Sequence, residues 1–182
     1  MKILLKGDHL NLDELNNKIS NPCENIKPLK GFEIISESLV YKVYDIYGKN
    51  MLLSILYQVG SAPGKTIANR IKQEYQKEEF DIIETIMILM NELKEFYSIQ
   101  IRNVEQLDNK IRIEIENHCF LRKTIKNSES LEFGKSFCRV NKGYFETAFT
   151  ELLGNKIKRV EINYLDNDPE KDVCIEELNF YY

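Results

Sequence analysis

The sequence predicts an α+β fold, a helical layer packed on an antiparallel sheet in the order helices, hairpin, helix, hairpin. Three observations carry that expectation. Between residues 36 and 96 apolar side chains recur every three or four positions, the period of a helix with one face turned inward. Residues 110–116 read Lys-Ile-Arg-Ile-Glu-Ile-Glu, a strict alternation with the period of a strand. A helical pattern then returns over 141–153, and two more strand-like runs close the chain. Helices gathered against antiparallel hairpins define the α+β class.

The elements follow in order. Residues 2–5 suit a short strand, and Leu12, Leu15 and Ile19 share a helical face. Pro22 and Pro28 then break the pattern, so residues 1–35 are expected to form an N-terminal extension and 36–182 the main domain. Ser36 or Ser38 can cap a helix whose inner face carries Leu39, Val40, Val43, Tyr44 and Tyr47. Gly48 interrupts it. Residues 51–59 are nearly all apolar, and periodicity alone leaves them helix or strand. Residues 60–64 read as a break, with a helix resuming over 66–76. A helix over 79–96 carries two apolar stripes, Phe80-Ile83-Met87-Met90 and Ile82-Ile86-Leu89-Leu93, and is expected to be buried on two sides. Strands over 97–104 and 110–116 pair through Asp108-Asn109, with Ile111, Ile113 and Ile115 inward and Arg112 and Glu114 outward. The helix over 141–153 turns Phe145, Ala148, Phe149 and Leu152 to one side and is closed by Gly154. Strands over 156–166 and 172–181 complete the order.

Composition narrows the function classes. The 182 residues are 43% hydrophobic and 10% aromatic, enough for a packed core and too much for a disordered tail. The net charge of −4 argues against binding nucleic acid or an anionic membrane through the whole molecule. No apolar run is long enough for a membrane helix. The first residues lack the length of a signal peptide, so the cytoplasm is the expected location. The abundance of Ile, Asn, Lys and Glu points to a prokaryote with an AT-rich genome. The four cysteines, Cys23, Cys119, Cys138 and Cys174, form no CxxC pair and read as reduced thiols or buried small hydrophobes.

Catalytic motifs do not assemble, and the chain is not expected to be an enzyme. Gly60-Ser-Ala-Pro-Gly64-Lys65-Thr66 has three residues between its glycines where a phosphate loop needs four. His118 and Cys119 are neighbours at the end of a strand and point to opposite faces, so they cannot readily act as nucleophile and base. The basic segment 122–142 has no aromatic residues interleaved with its charges and reads as a solvated loop. Cys138, Glu161 and Cys174 carry groups that can bind zinc, although a structural site needs four ligands.

Cys138-Arg-Val-Asn-Lys-Gly143-Tyr-Phe-Glu-Thr-Ala-Phe-Thr-Glu-Leu-Leu-Gly154, then Val160-Glu161, then Cys174, resembles the 4-vinyl reductase family of hydrocarbon-binding domains. Leu56-Tyr57-Gln58-Val59-Gly60 with Gly64 also looks like that family's helical segment. The resemblance covers residues 36–180. It implies the fold of TRAPP transport-particle subunits, a homodimer, and binding of a hydrophobic small molecule as a sensor or carrier. It also implies a zinc site in which Cys138, Glu161 and Cys174 are ligands, with Tyr164 at the position of a further cysteine. Cys119 or His118 is the candidate for the fourth ligand. Leu56, Met87, Met90, Phe145 and Phe149 are the residues expected to line a ligand pocket between helices and sheet. The alternatives are a dimeric interaction module with a closed core, and a tetrapyrrole vinyl reductase or its accessory.

Overall fold

A computed structural model describes residues 28–121, 134–168 and 170–182. The expected strand at 2–5, the helix at 11–19, Cys23, and the greater part of the basic loop lie outside the described residues. The chain divides into two units, Met1–Leu39 and Val40–Tyr182. The expected extension ends at residue 35.

Helix α1 runs Pro28–Tyr75 and bends at Gly48, whose φ of 75° and ψ of 175° lie outside helical space. Glycine reaches that region with little penalty. The part of α1 in the first unit carries Phe32, Ile34, Ile35 and Leu39, all exposed. In the second unit the ambiguous run 51–59 is helical, and so is 60–64, which the sequence reading takes for a break. Tertiary packing explains that correction. Gly60 and Gly64 are one helical turn apart and form the seat of a second helix, α3 (Cys138–Leu153). A Cβ on Gly60 would overlap the carbonyl oxygen of Val140, and one on Gly64 that of Tyr144. Gly143 on α3 answers them, since its Cβ would overlap the Tyr57 carbonyl. The small residues therefore set how close the two backbones come. Ser61 Oγ and Thr147 Oγ1, 2.6 Å apart, hydrogen-bond along the same seam.

Helix α2 (Ile82–Glu92) is shorter than the expected 79–96. The Phe80 N–H is taken by the Leu152 carbonyl at 2.9 Å, which holds residue 80 outside the helix. The Glu84 carboxylate accepts from the Asp81 N–H at 3.2 Å, as in a capping box. At the other end the chain turns toward the sheet through the bonds of the Phe96 and Tyr97 N–H groups to Leu93 O. Only one side of α2 is fully covered. Ile86 and Leu89 are buried, whereas Ile83 and Met87 are 51% and 67% exposed, so the expected burial on two sides does not occur.

The sheet contains β1 (Tyr97–Leu107), β2 (Lys110–Cys119), β3 (Arg159–Asp166) and β4 (Cys174–Tyr181), in the order β1-β2-β4-β3 with every pair antiparallel. The fold is α+β, as the sequence predicts. Ile113 and Ile115 are buried, while Ile111 is only partly covered. Arg112 and Glu114 are half-exposed rather than fully outward. Arg112 bridges its neighbours, with Glu105 at 2.6 Å and Glu177 at 3.4 Å. Phe145 and Phe149 of α3 pack edge-on against Tyr97 and Phe180, at centroid separations of 5.0 and 5.3 Å.

β3 is an edge strand, and α3 covers its open side. The Ile162 N–H donates to Glu146 Oε1 at 2.7 Å, and Lys142 Nζ donates to Ile162 O at 2.5 Å. Both outward backbone groups of that residue are thus satisfied by side chains, which blunts the edge against pairing with another strand. Lys142 and Glu146 are themselves paired at 3.1 Å.

Candidate ligand pocket

The core changes character along the sheet. Toward one end it is apolar, with Ile113, Ile162, Leu178 and Phe180 facing Phe149 and Leu152. Toward the other end the same inward positions carry polar groups. On β2 the inward series continues from Ile113 and Ile115 to Asn117 and Cys119, and on β4 it begins with Cys174 and Glu176. Strand pairing places Asn117 opposite Cys174, and Glu176 between Ile115 and Tyr164. α3 supplies Cys138 and Asn141 to this end.

These groups bond to one another. The Tyr97 hydroxyl donates to Asn141 Oδ1 and the Tyr164 hydroxyl to Cys138 O, each at 2.7 Å. Burial holds both phenols well above their ordinary range, so they remain neutral donors. The Asn167 side chain lies between two thiols. Its Nδ2 donates to Cys138 Sγ and its Oδ1 accepts from Cys174 Sγ, both at 3.3 Å.

A small cavity of about 10 Å³ lies where the apolar and polar parts meet, close to the size of one water. Its walls are Met90 of α2, Phe145 and Phe149 of α3, and Ile99, Ile115, Ile162 and Leu178 of the sheet. Only Asn117 and Glu176 are polar. Asn117 Nδ2 donates to Glu176 Oε1 at 2.9 Å, and Asn117 Oδ1 has no hydrogen-bond partner among the described residues. Glu176 is 5% exposed, and burial pushes its pKa up to about 7 against the opposing hydrogen bond from Asn117.

A stability prediction follows for Glu176. Its folded pKa lies above the unfolded value, so the native state binds the proton more tightly. The contribution of Glu176 to stability should be greatest below pH 4.5, fall as pH rises from there through about 7, and level off above it. The full cost, reached above pH 7, is roughly 3 kcal/mol. Glu176→Gln should flatten this part of the curve. Urea titrations across that interval check it, and an equal slope in both proteins would rule out the assignment.

Of the residues expected to bind a ligand, Met90, Phe145 and Phe149 line the cavity. Leu56 does not. It belongs to a separate cluster with Val40 and Leu52, because its face of α1 packs beside Phe137 and Val140. Met87 lies on the uncovered side of α2. Of the expected zinc ligands, Cys138 and Cys174 meet at Asn167, and Cys119 lies opposite Tyr97 at the same end of the sheet. Glu161 is elsewhere. The buried positions of β3 are Val160 and Ile162, so Glu161 points to the other face, where Arg159 and the Tyr181 hydroxyl each stand 3.3 Å from Oε2. His118 is exposed beside Glu116, at 3.7 Å. Among the described residues no group of three or more His, Cys, Asp or Glu side chains could hold a metal ion. An amide stands between the two thiols and the carboxylate is on the wrong face, so this donor set does not fit zinc.

Asn117, Glu176 and Asn167 escaped sequence reasoning. For the first two a signal existed. Each sits at the inward parity of a strand whose other inward residues are apolar, and a polar residue in such a place is informative. Asn167 lies beyond β3, where parity says nothing.

No family model matches the chain, and no curated protein does. A solved structure does: the phenol-responsive sensory domain of the transcription activator PoxR, crystallised with phenol. The two share the fold. The TM-score is 0.54 at 13% identity, over 82% of this chain and 74% of the sensory domain. Among the described residues, no helix is long and apolar enough to cross a membrane.

Proposed function

We propose that this chain is a binding domain for a small hydrophobic molecule and acts as a sensor or carrier. The carrying observation is the cavity between α2, α3 and the sheet, with apolar walls and one hydrogen-bonded polar pair, the usual make-up of a ligand site. The fold shared with a phenol-responsive sensory domain supports this reading. A ligand larger than water must widen the cavity. Met90, partly buried and unbranched, is the wall residue best able to move. The proposed working form is a homodimer, supported by the exposed Ile46, Tyr47, Met51 and Val59 of α1.

Native mass spectrometry on protein purified without chelator tests ligand and copy number together. A dimer carrying a small organic adduct is the expected species. If ligand is lost in purification, millimolar toluene or phenol should raise the melting temperature saturably, since binding to the folded state alone stabilises it. A bare monomer indifferent to both compounds would overturn the reading.

A further inference from the structure

The polar pair in the cavity is unbalanced. Glu176 receives one hydrogen bond, from Asn117, and no basic side chain among the described residues is paired with it. The lysine of α3, Lys142, is engaged by Glu146 and Ile162 O. Asn117 is 3% exposed, and its Oδ1 is a second acceptor without a donor. Every other wall residue is apolar. A buried carboxylate without a counter-charge is costly, and so is a buried acceptor without a donor. The occupant that corrects both faults is a donor carrying positive charge. A hydroxyl brings one proton and no charge, so it can serve only one acceptor. A protonated primary amine brings three protons and the missing charge.

We propose that the pocket takes a small apolar primary amine, its ammonium group held between the Glu176 carboxylate and Asn117 Oδ1 and its body against Phe145 and Phe149. This rests on the ligand-binding reading above and names the ligand class. Phe145 and Phe149 also offer π-faces that tolerate a neighbouring cation.

Calorimetric titration of the full chain with benzylamine, benzyl alcohol and toluene, matched in size, tests it. At about pH 8 the amine is charged and Glu176 is ionised. Benzylamine should bind about tenfold or more tightly than benzyl alcohol. Glu176→Gln should bring the amine-to-alcohol affinity ratio down to about one, and Asn117→Ala should lower the amine's affinity. If either variant fails to fold, the amine-to-alcohol ratio of the unaltered chain still decides. Equal or tighter binding of the alcohol or toluene overturns the amine assignment and leaves the pocket standing. So does undiminished amine binding by Glu176→Gln. Absence of binding by all three removes the pocket and the amine assignment together.

Discussion

Replacing Glu146 with alanine should destabilise the second unit by about 3–5 kcal/mol, a large part of the stability of a domain this size. Glu146 is 8% exposed and joins three elements. It accepts from the Tyr57 hydroxyl of α1 at 2.9 Å, from the Ile162 N–H of β3 at 2.7 Å, and from Lys142 Nζ of its own helix at 3.1 Å. Burial, with Glu146 beside it, pushes the Tyr57 phenol up to about 12, so this bond stays intact through the neutral range. Removing the carboxylate leaves the Ile162 amide unbonded and the largely buried Lys142 without its counter-charge. Those two penalties, more than the loss of contact, set the magnitude. Glu146→Gln keeps an acceptor for Ile162 and a polar partner for Tyr57, and should cost less than half as much. Urea unfolding reads both. A midpoint for Glu146→Ala within error of the parent would mean that the clamp contributes nothing.

Gly143→Ala should lower stability by roughly 2–3 kcal/mol, and Gly143→Val by more. Two effects compete. Alanine is the better helix former by about 1 kcal/mol, which alone would stabilise α3. The new Cβ would overlap the Tyr57 carbonyl oxygen, and a backbone group in mid-helix cannot turn aside as a side chain can. The helices must then separate along the seam, which strains the Ser61–Thr147 and Tyr57–Glu146 bonds as well. The clash wins. Gly31→Ala is the control, because nothing lies within 4 Å of a Cβ there and only the propensity gain remains. Differential scanning calorimetry should show a lower transition for Gly143→Ala and no loss for Gly31→Ala. A Gly143→Ala transition at or above that of the parent would show that the crossing has room to spare.

The alternation at 110–116 identifies β2, because a strand with one buried face must repeat every two residues. The spacing of Phe145, Ala148, Phe149 and Leu152 identifies the inner face of α3 for the equivalent reason, and Gly154, with φ of 58°, ends that helix as expected. These are local consequences of periodicity, and with them the sequence determined the α+β class. Periodicity cannot say how many sides of a helix are covered. α2 has two apolar stripes of similar strength, and only the sheet's position decides that Ile86 and Leu89 are buried while Ile83 and Met87 are not. Nor can it separate a glycine that ends a helix from one that seats a neighbour. Gly60 and Gly64 look the same in either role until α3 is placed against them.

The candidate site divides along the same line. Met90, Phe145 and Phe149 were legible as inward apolar residues, and all three meet at one cavity. Leu56 and Met87 had the same local signature and went elsewhere, because convergence depends on elements distant in the chain. Strand parity, a local property, was enough to put Glu161 on the face opposite Val160 and Ile162. The pairing of Asn117 with Glu176 is different. It joins residues 59 apart through the β2–β4 register, and that register exists only once two hairpins have docked edge to edge. Which residues face inward was therefore determined by the sequence alone, through the period of each element. Which inward residues meet, and so where a polar pair is left in an apolar wall, was decided by the tertiary structure, because docking brings together groups that no local period relates.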